Sequence, residues 1–171
     1  MIVDCGAYVG GFALGAARMA GQVHVFEPEA RNFDCCRRNL SDFENIALVQ
    51  RGLYKHAGTT QLNISSSSVE HSLLLPDDGD VIGTQKLQLE SLGDYCAAQG
   101  IERLDFVKIE AEGVELEVFE GLKGLRPRKL AIDVSPERNG ESPAETFREI
   151  LMGLGYVVKQ RGHVMFAHLR A

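Results

Sequence analysis

The stretch Asp4-Cys5-Gly6-Ala7-Tyr8-Val9-Gly10-Gly11 constrains this chain more than any other. It follows a short apolar run, Ile2–Cys5, and precedes a segment at 11–20 with small residues at helical spacing, so it reads as the turn from a first strand into a first helix. Ala13, Gly15, Ala16 and Ala17 let that helix lie close on a sheet, and Gly21 is its natural stop. Val23–Phe26 returns as a second strand and completes a β-α-β unit. A second helix follows Pro28, with Phe33, Cys36 and Leu40 on one face, and Ile46–Val49 is a third strand. A parallel crossover needs a dozen or more residues, usually a helix. This order therefore predicts an α/β fold, a mostly parallel sheet with helices on both faces, whose ligands bind at the carboxyl ends of the strands.

The second half resumes the alternation after an interruption. Residues 59–64 and 85–89 alternate like strands and flank Ser65-Ser66-Ser67-Ser68-Val69-Glu70-His71-Ser72, which predicts a hairpin-like insertion with a mobile loop. A buried strand at 104–109, a helix at 114–122 and a strand at 130–134 follow. Ser142-Pro143-Ala144-Glu145 reads as a capping box with proline at the first helical position. Phe147, Ile150, Leu151 and Leu154 form the apolar stripe of that helix, and Gly155 can end it. Residues 156–160 and Val164–Leu169 flank Arg161-Gly162-His163, so the last two strands are expected to be antiparallel. The expectation is a single domain over residues 1–171 with a polar insertion at about 57–89.

Charge and cysteine usage exclude several functions. A net charge of −6, with no Lys/Arg run longer than two, lacks the basic footprint of a nucleic-acid binder. No basic segment followed by an apolar one opens the chain, and nowhere do 18 apolar residues run together, so neither export nor a membrane anchor is expected. Cys5, Cys35, Cys36 and Cys96 fit neither a zinc spacing nor a disulfide framework, and His24, His56, His71, His163 and His168 form no ligand cluster. Reduced thiols, a cytoplasmic location and no metal are the expectations.

Three segments carry chemistry. In the first, an acid, Asp4, precedes a turn with Gly6 and Gly10, where a dinucleotide fingerprint would read G-x-G-x-x-G and cradle a pyrophosphate. A carboxylate there repels phosphate. It suits a phosphate-free cofactor with a cationic amino-acid end, such as S-adenosylmethionine, with the glycines serving close backbone approach. Second, Glu27, in Val25-Phe26-Glu27-Pro28 at the end of the second strand, can accept both ribose hydroxyls of a nucleoside. After the third strand, Gly52 is a better adenine neighbour than Arg51, which reads as a solvent-facing loop residue. Third, in the string running from Asp105 to Glu115, Lys108, Glu110 and Glu112 would share one strand face at the carboxyl edge, and two carboxylates beside an ammonium can hold one acid ready to act as a base.

Together these segments, Asp4-Cys5-Gly6-Ala7-Tyr8-Val9-Gly10, Val25-Phe26-Glu27-Pro28 and Lys108-Ile109-Glu110-Ala111-Glu112-Gly113-Val114-Glu115, resemble the FkbM-type methyltransferases. The resemblance covers nearly the whole chain and includes the polar insertion. It implies a class I methyltransferase sheet, Rossmann-like, with an antiparallel C-terminal hairpin, and S-adenosylmethionine as cofactor. It also implies a small-molecule acceptor, methylated on a hydroxyl of a sugar, polyketide or other natural product. By the same resemblance Asp4, Gly6 and Gly10 line the methionine end, Glu27 holds the ribose, and Glu110 sits beside the reacting centre. Ala7, Tyr8 and Pro28 are further cofactor-binding candidates, and the catalytic expectation is that Glu110 or Glu112 accepts the hydroxyl proton while Lys108 orients them. His71 on the serine-rich loop is a further candidate. Two features depart from the family. Glu110 stands where an aspartate is usual, and Met1 lies three residues before Asp4, where related chains commonly carry leading residues over the sheet and acceptor pocket. Three alternatives account for this: a minimal family member, a fragment of a longer chain, or a partner subunit or homo-oligomer that supplies such cover. A non-catalytic module that binds S-adenosylmethionine is the alternative reading.

Overall fold

The computed structural model describes residues 1–66, 80–138 and 140–170. Strands β1 (Ile2–Cys5), β2 (Val23–Phe26) and β3 (Ile46–Val49) alternate with helices α1 (Gly11–Ala17) and α2 (Ala30–Asn39). Strands β4 (Gly52–Leu53), β5 (Gly58–Ser65) and β6 (Val81–Glu90) then form the insertion, followed by helix α3 (Leu92–Gln99). Strand β7 (Phe106–Ile109), α4 (Glu115–Glu120), β8 (Lys129–Asp133), α5 (Ala144–Gly153), β9 (Tyr156–Arg161) and β10 (Val164–Leu169) complete the order.

A seven-stranded sheet runs β3-β2-β1-β7-β8-β10-β9, and a separate three-stranded sheet runs β4-β6-β5. The first five strands of the large sheet are mutually parallel, and β10 pairs antiparallel with both β8 and β9. Strand order reverses between β1 and β7, where crossovers to opposite faces leave a crevice at the carboxyl edge.

Strand alternation divides the core. Val3, Cys5, Val107, Ile109, Leu130 and Ile132 face one side and pack on Leu92 and Tyr95 of α3, Val118 of α4, and Phe147 and Leu151 of α5. On the other side Val23 and Val25 meet Ala13 and Ala16 of α1 and Cys36 and Leu40 of α2. Small side chains let α1 approach closely. Beyond α1, no helix among the described residues covers this face of β7, β8 and β10. Phe106 there stacks on Phe12 with ring centroids 5.8 Å apart, and Phe166 remains 42% exposed.

Several local expectations are corrected. Helix α1 ends at Ala17 with Arg18 as its cap, so Gly21 is not its stop, and Gly15 faces open space. Helix α5 begins one residue later than the capping box predicts, with Pro143 at the cap position; the Ser142 hydroxyl donates to the Val134 carbonyl at 2.6 Å and accepts the Ala144 N–H at 3.3 Å. In its stripe Phe147 and Leu151 are buried, but Ile150 and Leu154 are exposed. Helix α3 has clear local signals that the sequence reading missed, a Ser91 cap accepting from the Asp94 N–H at 3.1 Å and a left-handed Gly100 at its end.

The two glycines flanking α1 are predicted to behave oppositely. Gly10 has φ +87 and an added Cβ would stand 3.0 Å from Cys36 Sγ, so Gly10→Ala should destabilise by about 2 kcal/mol in urea unfolding. Gly21 has open space and no positive φ, so Gly21→Ala should lie within about 0.5 kcal/mol of the parent.

Candidate active site

A cavity of about 320 Å³ opens at the crevice between β1 and β7. Gly6, Ala7, Tyr8, Glu27, Pro28, Gly52, Lys108, Glu110 and Glu112 all line it, so sequence-distant candidates meet in one place. Asp4 and Gly10 do not. Gly10 is instead the point where the turn rests on α2, and Asp4 lies fully buried behind Lys108.

Asp4 and Lys108 are directly paired in register on adjacent parallel strands, so their side chains share a face. The Lys108 ammonium stands 3.2 Å from Asp4 Oδ1 and 2.7 Å from Glu110 Oε2, and it donates to the Gly6 carbonyl at 2.9 Å. Burial pushes the Asp4 carboxyl up, against the pull of that ammonium. Loss of solvation works against the Lys108 charge, but Asp4 and Glu110 outweigh it and hold the ammonium above its ordinary range.

Gly6 is required by contact as well as conformation. Its φ is +74, and a Cβ there would fall 1.7 Å from the Glu110 carbonyl oxygen. The β1–α1 turn is thereby pressed onto the chain leaving β7, where the Glu110 N–H also donates to the Cys5 carbonyl at 3.2 Å.

The three-residue alignment on β7 is not found. The strand ends at Ile109, and the chain turns through Glu112 and Gly113 at φ 50 and 90. This turn carries Glu112 off the strand face, so Lys108 orients Glu110 alone. It also aims the Ala111 and Gly113 N–H groups at buried Glu115, which accepts them at 2.8 and 3.3 Å. Arg138 ties the same turn, donating from Nε to the Gly113 carbonyl at 2.9 Å and from Nη2 to both Glu117 oxygens at 2.7 and 2.8 Å.

Glu27 is 5% exposed and accepts the Tyr8 N–H at 2.7 Å and the Glu29 N–H at 2.9 Å, one on each oxygen. Tyr8 reaches it from a left-handed backbone, φ 53. Burial pushes the Glu27 carboxyl up to about 7, although both N–H groups pull it down. Opposite this acid the wall is apolar: Leu62, Leu87 and Leu89 of the insertion sheet and Leu53. Gly52 fits against this wall, since a Cβ there would lie 3.0 Å from Leu89 Cδ2. Arg51, expected as a solvent-facing loop residue, lies in the loop after β3 with its side chain 43% exposed, but it also lines the cavity and pairs with Glu90 at 2.6 Å. Asn32 and Phe12 were missed as lining residues. His71 lies outside the described residues, where 67–79 are not described. Among the described residues no cluster of His, Cys, Asp or Glu is suited to a metal.

The family model for the methyltransferase FkbM domain matches residues 4–165. The chain belongs to the FkbM methyltransferase family. As a family member, its cofactor is S-adenosylmethionine. Methyltransferase sdnD of Sordaria araneosa is 29% identical over 154 residues, covering 71% of this chain and 60% of that protein. The chain thus spans about three fifths of the length of this curated relative. An FkbM methyltransferase of Methylobacillus flagellatus superposes on 98% of this chain and 42% of its own at a TM-score of 0.66, with 19% identity. The magnesium protoporphyrin IX methyltransferase of Synechocystis, solved with bound SAM, superposes on 99% of this chain and 70% of its own at 0.58, with 11% identity. These likenesses identify the class I methyltransferase fold.

Two outcomes follow from the buried charges. Lys108→Met should cost roughly 3 kcal/mol or more in urea unfolding by stranding Asp4, and adding Asp4→Asn should recover most of it. Hydroxyl donors favour the ionised Glu27, so ligand binding should lower its pKa from about 7. Affinity for S-adenosylhomocysteine should then rise with pH up to about 7 and level off, with proton release in calorimetry, and Glu27→Gln should flatten the profile.

Proposed function

We propose that this FkbM-family domain is an O-methyltransferase that transfers the methyl group of S-adenosylmethionine to a hydroxyl of a sugar, polyketide or other small natural product. The residues present fit such a cofactor. A nucleoside suits the cavity's apolar side, with Glu27 accepting ribose hydroxyls. Bound S-adenosylmethionine supplies an electrophilic methyl group on a positively charged sulfur.

One observation carries the catalytic reading. Glu110 sits at the cavity edge with its side chain 52% exposed, while one of its oxygens is fixed by Lys108. A carboxylate open on one side and anchored on the other can accept the proton of an acceptor hydroxyl as its oxygen becomes a nucleophile. Lys108 contributes by position, holding Glu110 in place through a charge-assisted contact. Apolar lining around Phe26, Leu53 and Val114 keeps water away, and holding the reactants together supplies much of the rate. Glu112 also lines the cavity, from a turn in which its backbone is left-handed. Reduced thiols, with Cys5, Cys36 and Cys96 buried, fit a cytoplasmic location.

Methyl transfer from labelled S-adenosylmethionine to a panel of hydroxylated acceptors tests the reading. Glu110→Gln should lower kcat roughly a hundredfold or more and leave the Kd for S-adenosylhomocysteine within about twofold. Unchanged turnover in that variant would remove Glu110 as the base.

A further inference from the structure

On β6, Gln85, Leu87 and Leu89 fall at alternate positions and turn inward, whereas Thr84, Lys86 and Gln88 are exposed. Leu87 and Leu89 form cavity wall. Gln85 instead reaches the turn that follows β2. Its Nε2 donates to the Pro28 carbonyl at 3.0 Å, and its Oε1 accepts the Ala30 N–H at 3.2 Å. Ala30 opens α2, so this N–H is one of the helix-start donors without an intrahelical acceptor.

The Pro28 carbonyl and the Glu29 N–H belong to the same planar peptide group. That N–H is the one donated to Glu27 Oε1 at 2.9 Å. Gln85 and Glu27 therefore grip opposite edges of one peptide: amide donor, carbonyl, N–H and carboxylate form a single hydrogen-bonded chain whose members polarise one another. Rotation of this peptide would withdraw the donor from Glu27 and let its carboxylate swing.

We propose that Gln85 is a positioning residue for the cofactor's ribose, acting through the Pro28–Glu29 peptide to aim the Glu27 carboxylate, so that ribose recognition depends on the insertion sheet. This rests on the reading that Glu27 receives the ribose hydroxyls. It gives the insertion a part in cofactor selection besides any part in covering the acceptor.

The test is calorimetric titration of wild type, Gln85→Met and Gln85→Glu with S-adenosylhomocysteine and its 2′-deoxy analogue. Wild type should prefer the ribose ligand about tenfold, and Gln85→Met should reduce that preference to about twofold while its circular dichroism stays native. Gln85→Glu keeps the acceptor for the Ala30 N–H but loses the donor to Pro28. It should retain the helix cap, read as thermal stability near wild type, yet lose ribose preference as the Met variant does. Undiminished preference in Gln85→Met, or preference restored by Gln85→Glu, would overturn the proposal and leave Gln85 a helix cap. Wild type that binds both ligands equally would overturn the placement of ribose at Glu27, and the proposal with it. Failure of wild type to bind either would instead defeat the assignment of this cavity to the cofactor.

Discussion

The Lys108 ammonium is the interaction on which the site depends. It stands 3.2 Å from Asp4 of β1 and 2.7 Å from Glu110 just beyond β7, and it donates to the Gly6 carbonyl just beyond β1. Asp4 is fully buried and finds no hydrogen bond of good geometry among the described residues, so this ammonium is what makes its charge tolerable. The pair is set by parallel register, Asp4 opposite Lys108, which places a buried ion pair where the strand order reverses. Everything at the carboxyl edge of β1 and β7 is then held to a common point. Gly6 must be glycine because its turn is pulled onto the Glu110 carbonyl with no room for a Cβ.

From that point the cavity divides into two halves with different physics. Glu27 belongs to a backbone-supported half, where N–H groups from two loops fix each carboxylate oxygen and burial raises its proton affinity. Glu110 belongs to a side-chain-supported half, exposed and anchored by one cation. The first arrangement is rigid and suits recognition of an invariant ligand. The second leaves about half of the carboxylate side chain exposed at the cavity edge, 52%.

Much of this was legible in the chain. Apolar runs separated by small-residue or capped helical segments specify the parallel order, and Arg161-Gly162-His163 specifies the closing hairpin, because these signals are local. Acid and glycine at a strand end likewise mark Gly6 and Glu27 as site residues. What stayed hidden depends on tertiary contact. Strand alternation alone extends β7 through Glu112, but the turn at Glu112 and Gly113 exists because buried Glu115 and Arg138 draw its N–H and carbonyl groups inward. Gln85 shows the period-two pattern of an inward residue, yet nothing in the chain says that its face meets Pro28. Asp4 reads as a ligand contact and is a buried counter-charge, a difference of burial that composition does not encode.

Past β7 and β8 the carboxylates are held in different ways. Burial, the Asp133 carboxyl as a hydrogen-bond partner, and the charges of Glu112 and Glu115 push Glu137 up to about 9, whereas Glu110 is paired with the Lys108 ammonium at 2.7 Å. Among the described residues near the mouth, Lys108 is paired with Asp4 and Glu110, Arg51 with Glu90, and Arg138 with Glu117. Each of these cations ties one part of the rim to another: Lys108 joins β1 to the chain leaving β7, Arg51 joins the chain after β3 to β6, and Arg138 joins the segment past β8 to α4, so the charges beside the cavity also hold its walls together.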